Sequence, residues 1–266
     1  MEQPLKFLPY FRNTIWGGKE IPRFKQLSVN CPNIGESWEL SAVPGCESIV
    51  AEGEDMGQTL SDLTAKYGEQ LVGHRVFERY GGQFPLTIRL IDVREDLPMQ
   101  ELHNPARTSE QSDNVGIWYI LKASEGAMIQ TWTDYRIEGY IVNGNGQSIS
   151  CENGYLETQS GDALYMPARY VKTIGAGHFL MEIQQACNAP TANLNDIKVN
   201  YEDVIGSRVF SNPDDALMTL LCLKGAGKLK IANVMTTVQQ GETILIPAAT
   251  ESFEIEGDLS LLKVAI

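Results

Sequence analysis

Apolar positions along this chain recur mostly with a period of two. Leu86, Ile88 and Leu90 alternate with Thr87, Arg89 and Ile91, which predicts a strand with one face more apolar than the other. Further short strands are predicted at 116–122, 127–131, 139–142, 147–150, 163–166 and 179–184, then at 217–223, 228–231, 243–246 and 259–264. Asn143-Gly144-Asn145-Gly146 has the chemistry of a hairpin turn and not of a phosphate loop, since it opens no helix. One stretch follows a different period. Thr59 suits a helix N-cap with Asp62 at N3, and Leu60, Leu63, Tyr67 and Leu71 follow at helical spacing. Gly68 ends this first helix. A second helical piece carries Leu71, Val72, Val76, Phe77 and Tyr80 up to Gly81-Gly82. Residues 1–55 read as a loop-rich opening with strand-like pieces at 37–41 and 48–51.

One pattern occurs twice. Gly161-Asp162-Ala163-Leu164-Tyr165-Met166-Pro167-Ala168 and Gly241-Glu242-Thr243-Ile244-Leu245-Ile246-Pro247-Ala248 place glycine, an acid, an apolar alternation and Pro-Ala in the same order, 80 positions apart. Such a repeat predicts two related β units. The expected fold is mostly β, of the jelly-roll type, with a small α-helical insert in the first unit. The N-terminal unit is expected over 1–190 with its insert at about 56–82, a connection over 191–208, and a smaller C-terminal unit over 209–266.

Charge narrows the partners. A net charge of −13 argues against nucleic acid and anionic membranes, while leaving room for a local basic pocket that takes an anionic small molecule. The N-terminal residues lack the basic and apolar regions of a signal peptide, and no apolar run approaches the roughly 18–20 residues that cross a bilayer. The five cysteines, Cys31, Cys46, Cys151, Cys187 and Cys222, are scattered and form no Cys-x-x-Cys. Reduced thiols in a cytoplasmic protein are the expectation.

Several stretches, in order, carry a resemblance. They are Ile15-Trp-Gly-Gly18, Ile34-Gly-Glu-Ser-Trp-Glu-Leu-Ser41, Tyr80-Gly-Gly-Gln-Phe-Pro-Leu86, Leu90-Ile-Asp92, Ile117-Trp-Tyr-Ile-Leu121 and Glu182-Ile-Gln-Gln185. Together they resemble the type I mannose-6-phosphate isomerases in their short bacterial form, a branch of the cupin superfamily. The repeated Gly-acid…Pro-Ala element is itself similar to the second cupin motif. The resemblance implies two cupin-like barrels, a divalent metal (usually zinc), and interconversion of mannose 6-phosphate and fructose 6-phosphate. That reaction needs a metal to polarise the sugar oxygens and a base to move a proton between C1 and C2.

The family's ligands come from a Gln-Val-His-Pro strand, the Glu of a Lys-Thr-Glu-Met-Trp-Tyr segment and a His after the Pro-Ala turn. An essential arginine lies further on. In this chain Gln100 fits the first ligand, but Leu102 stands at the first His, Gly116 at the Glu, Lys172 at the second His, and about Ala192 at the arginine. The expectation is therefore no bound cofactor and a divergent member with weak or no isomerase activity, retaining a cavity for a sugar or sugar phosphate. Lys172, Gln100 and Arg89 are its expected substrate-binding residues. Lys172 reads either as a solvated strand-end lysine or as an ammonium standing where the metal's charge would be, paired with Glu101. One alternative is an active isomerase whose metal site is rebuilt around Gln100, Glu101 and His103; another is a non-catalytic interaction scaffold. Trp118 and Tyr119 read as core, His178 and His74 as structural or surface residues, and Arg169 and Lys122 as solvated cations.

Overall fold

The computed structural model of the chain describes residues 3–27, 33–98, 115–131, 141–142, 154–167, 171–185, 197–212 and 215–266. It opens with β1 (Leu5–Leu8), β2 (Tyr10–Gly18), the short helix α1 (Glu20–Phe24), β3 (Ile34–Leu40) and β4 (Ile49–Val50). Helices α2 (Leu60–Tyr67), α3 (Glu69–Val72) and α4 (His74–Tyr80) follow. Then come β5 (Leu86–Val93), β6 (Leu97–Pro98), β7 (Val115–Ala123), β8 (Met128–Thr131), β9 (Ile141–Val142), β10 (Tyr155–Glu157), β11 (Ala163–Pro167), β12 (Val171–Ile174) and β13 (His178–Gln185). The last five strands are β14 (Lys198–Ser211), β15 (Met218–Ile231), β16 (Val234–Gln239), β17 (Thr243–Ile246) and β18 (Ser252–Ala265).

The helical insert forms where its caps predict. Thr59 Oγ1 accepts the Asp62 N–H, and the Asp62 carboxylate accepts the Thr59 N–H, closing a capping box on α2. Gly81 stops α4 in the left-handed conformation at φ 60. Helix α1 lies in the stretch read as a loop-rich opening. Its first N–H groups, from Glu20 and Ile21, are accepted by Asp92 Oδ2 at 2.6 and 3.2 Å. A cap donated from so far along the chain leaves no local signature.

Among the described residues all ladders are antiparallel. In the N-terminal unit the sheet β2-β3-β5-β13-β7-β11-β9 is joined by the smaller sheet β10-β8-β12-β6. Ile91, Leu180 and Ile120 from the first sheet share a buried cluster with Ile129, Val171 and Ile174 from the second. On the opposite face of β5 and β13, Ile88, Leu90 and Ile183 join Leu63 and Leu71 of the insert and Leu245 and Leu262 of the C-terminal unit. That unit's sheet runs β14-β18-β15-β17-β1-β4, with β16 paired to β15. It encloses a third cluster around Leu220, Ile244, Phe253 and Leu261.

The internal repeat is exact at the level of hydrogen bonds. The Gly161 N–H donates to the Ile120 carbonyl and the Ile120 N–H to the Asp162 carbonyl, at 2.8 and 2.9 Å. Gly241, Cys222 and Glu242 make the same pair at 2.8 and 3.0 Å. Each acid side chain accepts the backbone N–H three residues before it, Gln159 or Gln239, at 2.8 Å. Both glycines sit at positive φ, 95 and 84, where a side chain is strained. A register shift follows at the same place, across Ile120/Lys122 in β7 and Cys222/Lys224 in β15.

Strand β14 begins at Lys198, so most of the stretch read as a connection is strand. Only Val204 and Phe210 of its residues are buried, which hides the alternation. β14, β15 and β18 each run 14 residues, and the backbone leaves regular strand conformation midway at Gly206 and Gly257, with φ 83 and 142. At the bend Gly206, Gly257 and Gly227 stand directly opposite one another across the three strands. A β-carbon on Gly257 would meet the Ala226 carbonyl oxygen and the Gly227 Cα, both at 2.6 Å. The bend brings Arg208 Nη1 to 2.9 Å from the Glu202 carboxylate six residues upstream; a straight strand would hold their α-carbons roughly 20 Å apart.

Candidate functional site

Opposite charges face one another at one row of two largely apolar strands. Trp38, Arg89, Glu182 and Trp118 lie directly opposite one another across β3, β5, β13 and β7. Side chains two apart share a face, so Arg89, Glu182 and Trp118 point the same way as Ile91, Leu180 and Ile120, into the space between the two sheets. The row is thus the layer next to the apolar filling of the first barrel.

Arg89 is 4% exposed and Glu182 2%. Charges so far from water persist only when paired and hydrogen-bonded. Arg89 Nε donates to Glu182 Oε2, and Trp118 Nε1 donates to Glu182 Oε1 at 3.0 Å. Arg89 Nη1 lies 3.6 Å from Glu36 Oε1, whose other oxygen accepts Trp38 Nε1 at 2.9 Å. The guanidinium also lies over the Trp38 ring at 5.1 Å, and the half-exposed Arg12 approaches Glu36 to 3.6 Å from outside. Burial works against the charge on Arg89, but Glu182 and Glu36 outweigh it and hold its pKa above the ordinary value. Each indole N–H thus fixes one carboxylate, and both carboxylates fix one guanidinium. Trp118 therefore does more than fill the core, and the clue was available: an acid and an arginine at inward positions of apolar strands need each other.

On the facing sheet Thr173 pairs with Pro98 and Ile174 with Leu97, so the strand that carries Lys172 lies beside β6. Gln100, Glu101 and His103 lie outside the described residues, as do Leu102, Arg169, Ala192 and the Asn143–Gly146 turn; of Lys172 only the backbone is described. Gly116, which the sequence resemblance sets against the family's Glu ligand, is described fully. It stands opposite Gln184 and Met166, and a β-carbon there would already lie 3.3 Å from the Ile183 carbonyl oxygen. Among the described residues no group of three or more His, Cys, Asp or Glu side chains is placed to hold a metal ion.

The remaining candidates have structural partners. His178 is buried, with Nδ1 at 2.6 Å from the Gly175 carbonyl and Nε2 at 2.7 Å from Thr158 Oγ1; burial lowers its pKa. His74 is exposed beside Glu69 and Glu78, which raise its pKa. Lys122 pairs with Glu20 at 3.1 Å. Asp92, the acceptor for α1, is pushed up to about 6 by burial despite its two backbone bonds. Cys46 and Cys222 are free thiols, both with pKa values raised chiefly by burial. No helix among the described residues is long and apolar enough to cross a membrane.

Two barrels built on one repeated strand–turn unit, the first with a polar row in its interior, define a bicupin. The comparisons with known proteins agree. A family model described as the cupin domain of mannose-6-phosphate isomerase matches residues 196–266. A putative mannose-6-phosphate isomerase, YvyI, of Bacillus subtilis (strain 168) is 22% identical over 322 aligned positions, covering 98% of both chains. That alignment is longer than the 266 residues here, so the relative carries internal insertions. The mannose-6-phosphate isomerase of Streptococcus mutans is 26% identical over 193 positions, covering 70% of this chain and 58% of its own length. The solved structure of the mannose 6-phosphate isomerase from Bacillus subtilis superposes with a TM-score of 0.74 over 100% of both chains, at 20% identity. The chain is thus similar to the type I phosphomannose isomerases, in its C-terminal unit by the family model and along its length by these relatives.

Proposed function

We propose that this chain keeps the first barrel of its family as a binding site for a sugar or sugar phosphate, and interconverts mannose 6-phosphate and fructose 6-phosphate weakly or not at all. The observation that carries this reading is Gly116. Where the family's Glu ligand belongs there is no side chain, and the Ile183 carbonyl lies close to where one would begin. Leu102 and Lys172 stand at two more ligand places. Neither an alkyl chain nor an ammonium offers a lone pair to a cation. The residues at these positions do not fit zinc, and we derive no step through it.

In this reading Lys172 and Gln100 meet the ligand, as an ammonium and an amide suited to phosphate or hydroxyl oxygens. Arg89 acts from behind, since its guanidinium is engaged with Glu182 and Glu36; it positions Glu182 and Trp118. The ligand is a small molecule, and the setting is the cytoplasm, in keeping with reduced thiols.

The test is conversion of mannose 6-phosphate by the purified chain with zinc, manganese or cobalt, alongside melting with mannose, mannose 6-phosphate and fructose 6-phosphate. The expected result is a rate equal to the metal-only blank, with a rise in melting temperature for at least one sugar. Turnover above roughly 1 s⁻¹ would overturn the reading. Loss of both metal and turnover in His103→Ala would then place the metal among Gln100, Glu101 and His103. No melting shift with any sugar would leave the barrel as a scaffold.

A further inference from the structure

The repeat sets the two barrels in register, with Ile120 matching Cys222 and Leu164 matching Ile244. On the far side of β11 the N-terminal barrel has β9, with Ile141 opposite Leu164. The equivalent place beside β17 is filled by β1, with Lys6 opposite Ile244. The second barrel is thus completed by a strand from the other end of the chain. The family model that matches residues 196–266 leaves this strand out.

We infer that the edge of β17 is a strand-acceptor site. It takes an extended segment of the pattern apolar–cation–apolar, antiparallel to β17, and holds it by non-covalent contacts alone; its natural occupant is β1.

Three features build the site. Leu5 and Phe7, 1% and 9% exposed, enter the core shared by the two units. Between them the Lys6 ammonium lies 3.0 and 3.1 Å from the Glu242 carboxylate oxygens and 3.3 Å from Thr237 Oγ1. Glu242 is held for this contact by the Gln239 N–H at 2.8 Å, the bond that the repeated turn makes in both barrels. The other side of β1 is taken as well. Phe7 and Leu8 pair with Val50 and Ile49, and the Ala51 N–H donates to the Lys6 carbonyl at 2.9 Å. A segment paired on both sides is an interior strand, and removing it would bare the edges of both β17 and β4.

The experiment uses the full chain with a protease recognition sequence inserted between Leu8 and Pro9. The folded protein is cleaved and examined by native mass spectrometry, then offered a labelled peptide spanning residues 3–8. The N-terminal fragment is expected to stay bound one to one after cleavage and to exchange with excess labelled peptide. A Lys6→Glu peptide should compete at least about tenfold less well, since a charge-assisted bond becomes a repulsion. A Leu5→Asp peptide should not compete. Release of the fragment with self-association that added peptide reverses would also support the acceptor. Release with an unchanged oligomeric state and an unchanged melting temperature would overturn it.

Discussion

Lys25→Met probes the joint between the two barrels. Lys25 follows α1, and its ammonium lies 2.9 Å from both oxygens of Glu39 and 2.6 Å from the Gly241 carbonyl. The two side chains are 8% and 3% exposed. Glu39 also accepts the hydroxyls of Ser37 and Thr243, so a residue of β3 is tied to the turn and first residue of β17. Methionine keeps most of the lysine stem and removes the charge together with its N–H donors, including the one to the Gly241 carbonyl. Breaking a buried pair from one side costs about 3–5 kcal/mol, because the partner's charge stays buried. The two hydroxyl bonds remain and soften this by about 1 kcal/mol, leaving about 2–4 kcal/mol. Urea unfolding at pH 7, followed by tryptophan fluorescence, would measure it; Trp38 is Glu39's neighbour on β3. The double variant Lys25→Met/Glu39→Leu should recover to within about 1–2 kcal/mol of the parent, since apolar replacement of a whole buried pair is near neutral. A single-variant cost below about 1 kcal/mol, or a double no better than the single, would refute the reasoning.

Other outcomes follow from the same geometry. Arg89→Met should cost about 3–5 kcal/mol by stranding Glu182 and Glu36, and Arg89→Lys should recover only part of it, read from urea midpoints. Asp92 titrates higher in the folded chain than the ordinary 3.8, so its stabilising share is full below pH 4 and is lost as pH rises through about 6. Asp92→Asn should flatten that slope, worth on the order of 2–3 kcal/mol, in melts from pH 4 to 7. His178 has the opposite sense. Its pKa is lowered by burial, so its share is present above about 6.5 and falls as pH drops below that, and His178→Gln should remove the loss. At the bend, Gly206→Ala meets open space and should cost about 1 kcal/mol of left-handed strain, while Gly257→Ala meets backbone on two sides and should cost about 2–4 kcal/mol.

What the sequence revealed was local. The Thr59–Asp62 cap, the Gly81 stop and the twin Gly-acid turns are each written within a few adjacent residues, and the structure forms all of them. Features made by distant partners stayed hidden. Helix α1 depends on Asp92, more than 70 positions away in sequence. β14 is an edge strand whose outward residues include Ile205 and Val209, 87% and 66% exposed, so no apolar alternation marks it. At the site, the sequence supplied Arg89 as a cation near family-like motifs. That Glu182, 93 positions on, would engage it could be seen only once β5 and β13 were paired.

The glycine row supplies something the apolar pattern lacks. Sliding β18 by one residue against β14 would turn its core side chains outward, and alternation forbids it. A slide of two residues leaves every side chain on its proper face, so alternation alone permits it. Carried through to β15, that slide would set Ile255 or Leu259 opposite Gly227, in place of Gly257, and put a β-carbon where those two backbones close in. Gly227 and Gly257 therefore act as an alignment key, distinguishing one strand register from its even-numbered neighbours.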